Sequence, residues 1–223
     1  MQPITDHLSP NHGPRSAGAV VDMLVLHYTG MADADAALNR MTDPAAEVSA
    51  HYMIDEDGTV LRLVDEARRA WHAGVAFWRG HDDINSRSVG IELVNPGHEF
   101  GYRAFPAAQM DALIALAGDI AGRHPIAARN IVGHSDIAPA RKTDPGELFD
   151  WQRLAAVGLG LWPEAEDGDL QNIEAMLADY GYDTNDAGAA LTAFQRHFRP
   201  ARIDGMPDIE CAQLVAGLLR VID

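Results

Sequence analysis

Five side chains in this chain of 223 residues are of the types from which metal-assisted hydrolysis is built: His27, Glu92, His134, Lys142 and Asp144. Two imidazoles and one carboxylate make a three-ligand zinc site whose fourth position stays open to water. His27, His134 and Asp144 are the candidates for that set. The chain has no HExxH or CxxC pattern, so spacing alone does not specify zinc. A histidine at a strand end also serves as a hydrogen-bonded structural residue, and Asp144, standing before Pro145-Gly146, suits a β-turn.

Glu92 lies inside the strand-like run Ser88-Val89-Gly90-Ile91-Glu92-Leu93-Val94. In a strand Val89, Ile91 and Leu93 share one face, and Gly90, Glu92 and Val94 share the other. If that second face is covered, the carboxylate needs a neighbouring charge, a metal-bound water or a raised pKa. If it faces solvent, Glu92 is only the polar half of an alternating strand. Lys142 is the single lysine of the chain; the other sixteen basic residues are arginines. Arginine is a planar fork that keeps its proton, whereas lysine is a compact charge on a flexible stem that can be aimed at one developing oxyanion.

The elements that must position these groups show in the apolar pattern. Residues 20–28 form a short, mostly apolar, β-branched run that places His27 at a strand end. Residues 32–41 have helical composition, and residues 49–54 and 59–64 read as a hairpin turning at Asp57-Gly58. Residues 106–123 carry apolar positions at Met110, Leu113, Ile114, Ala117 and Ile120, a helical stripe. Asn130-Ile131-Val132 is a short strand that delivers Gly133-His134. Strands alternating with helices give an α/β domain over residues 1–163. Residues 164–168 read as a polar linker. Residues 169–223 read as a small three-helix bundle marked by Leu170, Ile173, Leu177 and Tyr180, by Ala190, Leu191, Phe194 and Phe198, and by Ile209, Leu214, Leu218 and Val221.

The motifs that surround the five residues resemble, in order, those of the type 2 N-acetylmuramoyl-L-alanine amidases. They are Leu26-His27-Tyr28-Thr29, Ser49-Ala50-His51-Tyr52, Trp71-His72-Ala73-Gly74, Val89-Gly90-Ile91-Glu92-Leu93, and the run from Gly133-His134 to Asp144-Pro145-Gly146. These zinc amidases share a fold with the peptidoglycan recognition proteins. The resemblance implies a central mixed β-sheet flanked by helices, with Zn2+ on His27, His134 and Asp144. It implies cleavage of the amide between the lactyl group of N-acetylmuramic acid and L-alanine. Where phage-type relatives carry a catalytic tyrosine, this chain has Ala50, so the resemblance assigns the base to Glu92; Lys142, together with the zinc, is expected to stabilise the oxyanion. By motif position Tyr28, His51, Trp71, His72, Asn85 and Arg141 are candidates for the substrate groove. For His51 and Trp71 a core role is the alternative, and for Arg141 a structural acid is the alternative partner. Residues 193–198 with Ile203-Asp204-Gly205 resemble a peptidoglycan-binding helical module, or else cap the catalytic domain.

Composition narrows the partners. A formal charge of −16, with no basic cluster, disfavours nucleic acid and anionic membrane surfaces. Peptidoglycan fragments remain the expected partner. The charge divides evenly, about −8 for residues 1–163 and about −8 for residues 164–223, so the last segment is the more acidic per residue. Cys211 is the only cysteine, which rules out an intrachain disulfide. Residues 1–15 are polar and show no secretory signal, pointing to a cytoplasmic enzyme of muropeptide recycling. Two alternatives are a wall-directed periplasmic amidase and a protein that binds peptidoglycan fragments without cutting them. His7, His12, His81, His98, His124 and His197 read as surface residues.

Overall fold

A computed structural model describes residues 5–222. Thr5–Asp6 (β1) and His12–Pro14 (β2) precede the strand Met23–Tyr28 (β3), which leads to the helix Ala34–Thr42 (α1). Strands Tyr52–Ile54 (β4), Val60–Arg62 (β5) and Arg68–Ala70 (β6) follow, then the short helix Ile84–Arg87 (α2) and the strand Ser88–Leu93 (β7). Gly97–Phe100 (α3) and the long helix Ala107–Arg123 (α4) lead to Ile131–Gly133 (β8), His134–Ile137 (α5) and Trp151–Ala155 (α6). Ile173–Tyr180 (α7), Ala187–Phe198 (α8) and Ile209–Ile222 (α9) complete the chain.

The sheet is mixed, in the order β1-β5-β4-β7-β3-β8. Strands β4, β7, β3 and β8 run parallel to one another, and β5 turns antiparallel to β4. The carboxyl ends of β3, β7 and β8 therefore lie on one edge. Loops leaving that edge are where an open α/β sheet gathers its ligands.

Both faces of the sheet are covered, as the near-continuous apolar run of β3 requires. Leu24 and Leu26 pack with Ile91 and with Met110, Leu113 and Ile120 of α4. Met23 and Val25 join a second cluster with Val132, Ile137, Trp78 and the apolar stripes of α7, α8 and α9. The C-terminal helices thus share their core with the sheet, because a bundle this small buries too little apolar surface of its own. Asp33 caps α1, its carboxylate accepting the Ala36 N–H at 2.8 Å.

One element was missed and one expectation is corrected. The β2–β6 ribbon was not legible, since His-Gly-Pro and Arg-Arg-Ala carry no apolar alternation. His197 is not on the surface: it is 4% exposed, stacked between Trp151 and Phe198, and its Nδ1 lies 2.8 Å from Asp136 Oδ2. Its neighbours are supplied by tertiary packing, which a helix-end position does not reveal.

Candidate active site

His27 is the fifth residue of β3, and Glu92 is its register partner on β7. Side chains paired in register on adjacent parallel strands project to the same face. Val25 pairs with Gly90 in the same row, so a glycine lies beside the two functional groups. Its lack of a side chain is required, because a Cβ on Gly90 would stand 2.5 Å from the His72 ring. His134 opens α5 directly after β8. The Ser135 N–H donates to the Asp144 carbonyl at 2.9 Å and ties the Asp144 loop to that helix.

These connections bring three ligand atoms together. His27 Nδ1 lies 3.0 Å from both His134 Nδ1 and Asp144 Oδ2, and His134 Nδ1 lies 3.1 Å from that same oxygen. A tetrahedral zinc with bonds of about 2.0–2.2 Å sets its ligand atoms roughly 3.3 Å apart, so the cluster has the right size. All three residues are buried. His134 Nε2 faces the Ala73 carbonyl at 3.0 Å and must donate to it, which leaves Nδ1 as a bare lone pair. His27 Nε2 faces His72 Nδ1 at 3.1 Å, and His72 Nε2 faces Ser88 Oγ at 3.1 Å. Ser88 in turn donates to the Ile84 carbonyl at 2.7 Å. Read back from that carbonyl, which only accepts, the protons order themselves so that His27 also presents Nδ1 bare. Two lone pairs and a carboxylate oxygen crowded into one buried point are mutually repulsive without a cation, and the donor set fits a metal.

Burial shifts the titrations in the sense this chemistry needs. Desolvation and then the His134 ring hold the His27 imidazole down at about 4, against the pull of Asp144. Desolvation, reinforced by Asp144 and opposed by Lys142, pushes the Glu92 carboxyl well above the usual range. Glu92 Oε2 has no hydrogen-bond partner among the described residues. Lys142 acts electrostatically on both Glu92 and His27, and among the described residues its ammonium makes no ion pair.

A groove of about 430 Å³ opens over the cluster. Tyr28, Trp71, His72, Glu92, His134, Arg141, Lys142 and Asp144 line it. Two of the expected groove residues do not. His51 is fully buried, its Nδ1 accepting the Gly90 N–H at 2.9 Å. Asn85 is 7% exposed, and its Oδ1 accepts the N–H groups of His72 and Ala73. Both stand behind the groove wall, His51 Nδ1 and Asn85 Oδ1 each accepting backbone N–H groups. Arg141 donates to the carbonyls of Ala73 and Val75, and no structural acid pairs with it among the described residues. Sequence reasoning missed Arg40, on the last turn of α1, which lines the groove without an ion pair among the described residues. It also missed His98, which lies 3.0 Å from the Tyr28 hydroxyl at the rim. No local signal distinguished either from an ordinary surface charge.

The family model for N-acetylmuramoyl-L-alanine amidases matches residues 17–147, the span that supplies every one of these groups. The chain belongs to that family. The amidase AmiD of Escherichia coli K12 is 38% identical over 89% of this chain and 82% of its own length. The 1,6-anhydro-N-acetylmuramyl-L-alanine amidase AmpD of Enterobacter cloacae is 37% identical over 67% of this chain and 87% of its own. A solved complex of E. coli AmiD with the substrate anhydro-N-acetylmuramic acid-L-Ala-D-γ-Glu-L-Lys superimposes with a TM-score of 0.83, covering 92% of this chain and 91% of that one at 37% identity. The amidase is accordingly an enzyme that opens the bond between N-acetylmuramic acid and L-alanine. No helix among its described residues is long and apolar enough to cross a membrane.

Proposed function

We propose that the amidase is a zinc hydrolase of 1,6-anhydromuropeptides. The observation that carries this reading is the convergence of His27 Nδ1, His134 Nδ1 and Asp144 Oδ2 at one buried point, beside a carboxylate in register with His27. Zinc held there supplies a Lewis acid and lowers the pKa of a bound water to about 7. Glu92, whose carboxyl is raised by burial, takes the proton of the attacking water and passes it to the departing L-alanine nitrogen. An amine leaves only when protonated, so one carboxyl serves both steps. Lys142 lines the groove and places its ammonium where negative charge develops on the lactyl oxygen. Tyr28, Trp71 and His72 form the walls that orient the sugar and stem peptide. Relatives named for the 1,6-anhydro sugar, and the AmiD complex with an anhydro substrate, support that substrate form.

We place the reaction in cytoplasmic wall recycling. A chain whose lone cysteine is buried in the C-terminal core needs no oxidising compartment. The test is to give the metal-analysed protein soluble anhydromuropeptides and intact sacculi side by side, and to detect freed peptides by mass spectrometry. Release from the soluble fragments with stoichiometric zinc, lost on chelation and restored by zinc, supports the reading. Release from sacculi as well assigns a wall-directed amidase, and zinc uptake without any release assigns a binding protein.

A further inference from the structure

The buried carboxylate of Asp136 has no place in the chemistry, yet it joins the metal-ligand segment to the C-terminal helices. It is 1% exposed and is approached by three donors. The Gly133 N–H donates to Oδ2 at 2.7 Å, His197 Nδ1 lies 2.8 Å from the same oxygen, and the Tyr182 hydroxyl donates to Oδ1 at 2.7 Å. Gly133 and Asp136 bracket His134, the first residue of α5, so the carboxylate clamps the backbone that carries one ligand. Ser135, between them, bonds the Asp144 carbonyl and extends the clamp to a second ligand. Tyr182 lies in the loop between α7 and α8, and His197 in the last turn of α8. The fit around them is close. A Cβ on Gly133 would stand 2.7 Å from Pro145 Cδ, and the His197 ring stacks on Trp151 at 3.7 Å.

We infer that the C-terminal bundle is a positioning device for the metal centre, acting through Tyr182 and His197 on Asp136, and that it sets the affinity for the metal. This rests on the reading of His27, His134 and Asp144 as ligands. Groups that orient ligands from behind typically contribute about 10–100-fold in metal affinity. A buried carboxylate that loses a donor seeks another partner and moves. Here that motion carries the His134 backbone with it.

The experiment measures zinc dissociation constants by chelator competition for the full-length protein and four variants. Tyr182→Phe keeps the ring and removes one donor, and His197→Phe keeps the stack and removes the other. Both are expected to weaken zinc binding on the order of 10-fold. His197→Asn, whose amide can donate from near the position of Nδ1, is expected to recover most of the affinity lost in His197→Phe. Leu218→Ala, which opens a cavity in the same helical core, is expected to lower the melting temperature without a comparable change in zinc affinity. Wild-type affinity in both donor-removing variants, or an equal loss in Leu218→Ala, overturns the inference while leaving the ligand assignment intact. A wild-type protein that takes up no zinc overturns the ligand assignment itself.

Discussion

His27 and Glu92 stand opposite one another in register on the neighbouring parallel strands β3 and β7, and this pairing puts the proposed metal ligand and the proposed proton carrier on the same face of one sheet. The next pair in the row, Val25 with Gly90, leaves the space that the His72 ring fills. Backbone hydrogen bonds thus fix the spacing of the two groups, and side-chain packing fixes only the remaining angle. A site built on strands in this way is held more tightly than one built on loops.

Glu92→Gln keeps the shape of the side chain and removes its ability to carry a proton. A fall in kcat on the order of 10²–10⁴-fold is expected, the usual worth of a positioned acid or base. Zinc content and melting temperature should be maintained, because the amide no longer buries an unpaired carboxylate oxygen. Steady-state kinetics on an anhydromuropeptide, with metal analysis of the same sample, checks this; near-normal turnover removes Glu92 from the chemistry.

Lys142→Ala should lower kcat by an amount corresponding to about 2.7–4 kcal/mol, the cost of removing one positioned oxyanion donor. Lys142→Arg should restore little of it. The guanidinium fork cannot present a compact charge to one oxygen from the same stem. Turnover within a few-fold of wild type in a folded, zinc-loaded arginine variant would falsify the role.

Gly90→Ala places a methyl group within 2.5–2.7 Å of three atoms of the His72 ring. Overpacking of this kind costs about 1–3 kcal/mol, and displacement of His72 also deprives His27 Nε2 of its partner. Thermal unfolding should shift down and zinc should bind more weakly. Gly118→Ala, on the exposed side of α4 with nothing near the new methyl, should instead raise stability by up to about 1 kcal/mol. Equal behaviour of the two variants would show that the space over Gly90 is not reserved for His72.

Acid should weaken the fold through His51. Burial, and then the Arg15 guanidinium 3.1 Å from Nε2, hold its pKa at about 3, against 6.5 for an unperturbed histidine. Between those values the unfolded chain binds a proton that the folded chain refuses, so stability is complete above pH 6.5 and is lost as pH falls toward 3. Each unit of pH well inside that window costs about 1.4 kcal/mol for this one group. Urea unfolding at a series of pH values should therefore show a slope that decreases by about one proton in His51→Asn, whose amide oxygen can still accept the Gly90 N–H. An unchanged slope would place the proton uptake elsewhere.

Much of the architecture was legible because it rests on local regularities. The apolar stripe of residues 106–123 gave α4 almost to the residue, and Asp57-Gly58 marked the turn between β4 and β5. The ordered motifs also identified the family over the span its model matches. Residues without a local signature were not legible. His51 and Asn85 carry motif positions yet give their polar atoms to backbone, and Arg40 faces the groove only because α1 packs beside it.

The chain alone carries the residue types of the site and their order: a histidine, a glutamate in an apolar strand, a second histidine, the single lysine and an aspartate. It also determined the alternation of strand and helix, because burial of one stripe or one face leaves a period in the chain. That His27 and Glu92 share a face came from the folded sheet, since register is a relation between strands rather than a property of either. Which imidazole nitrogens stand bare is likewise a product of folding, since it follows from the carbonyls and hydroxyls brought against the opposite nitrogens from distant segments. The union of the last three helices with the sheet, through Asp136, Tyr182 and His197, was decided the same way. A helix too short to bury itself borrows a core, and nothing in its own residues says whose.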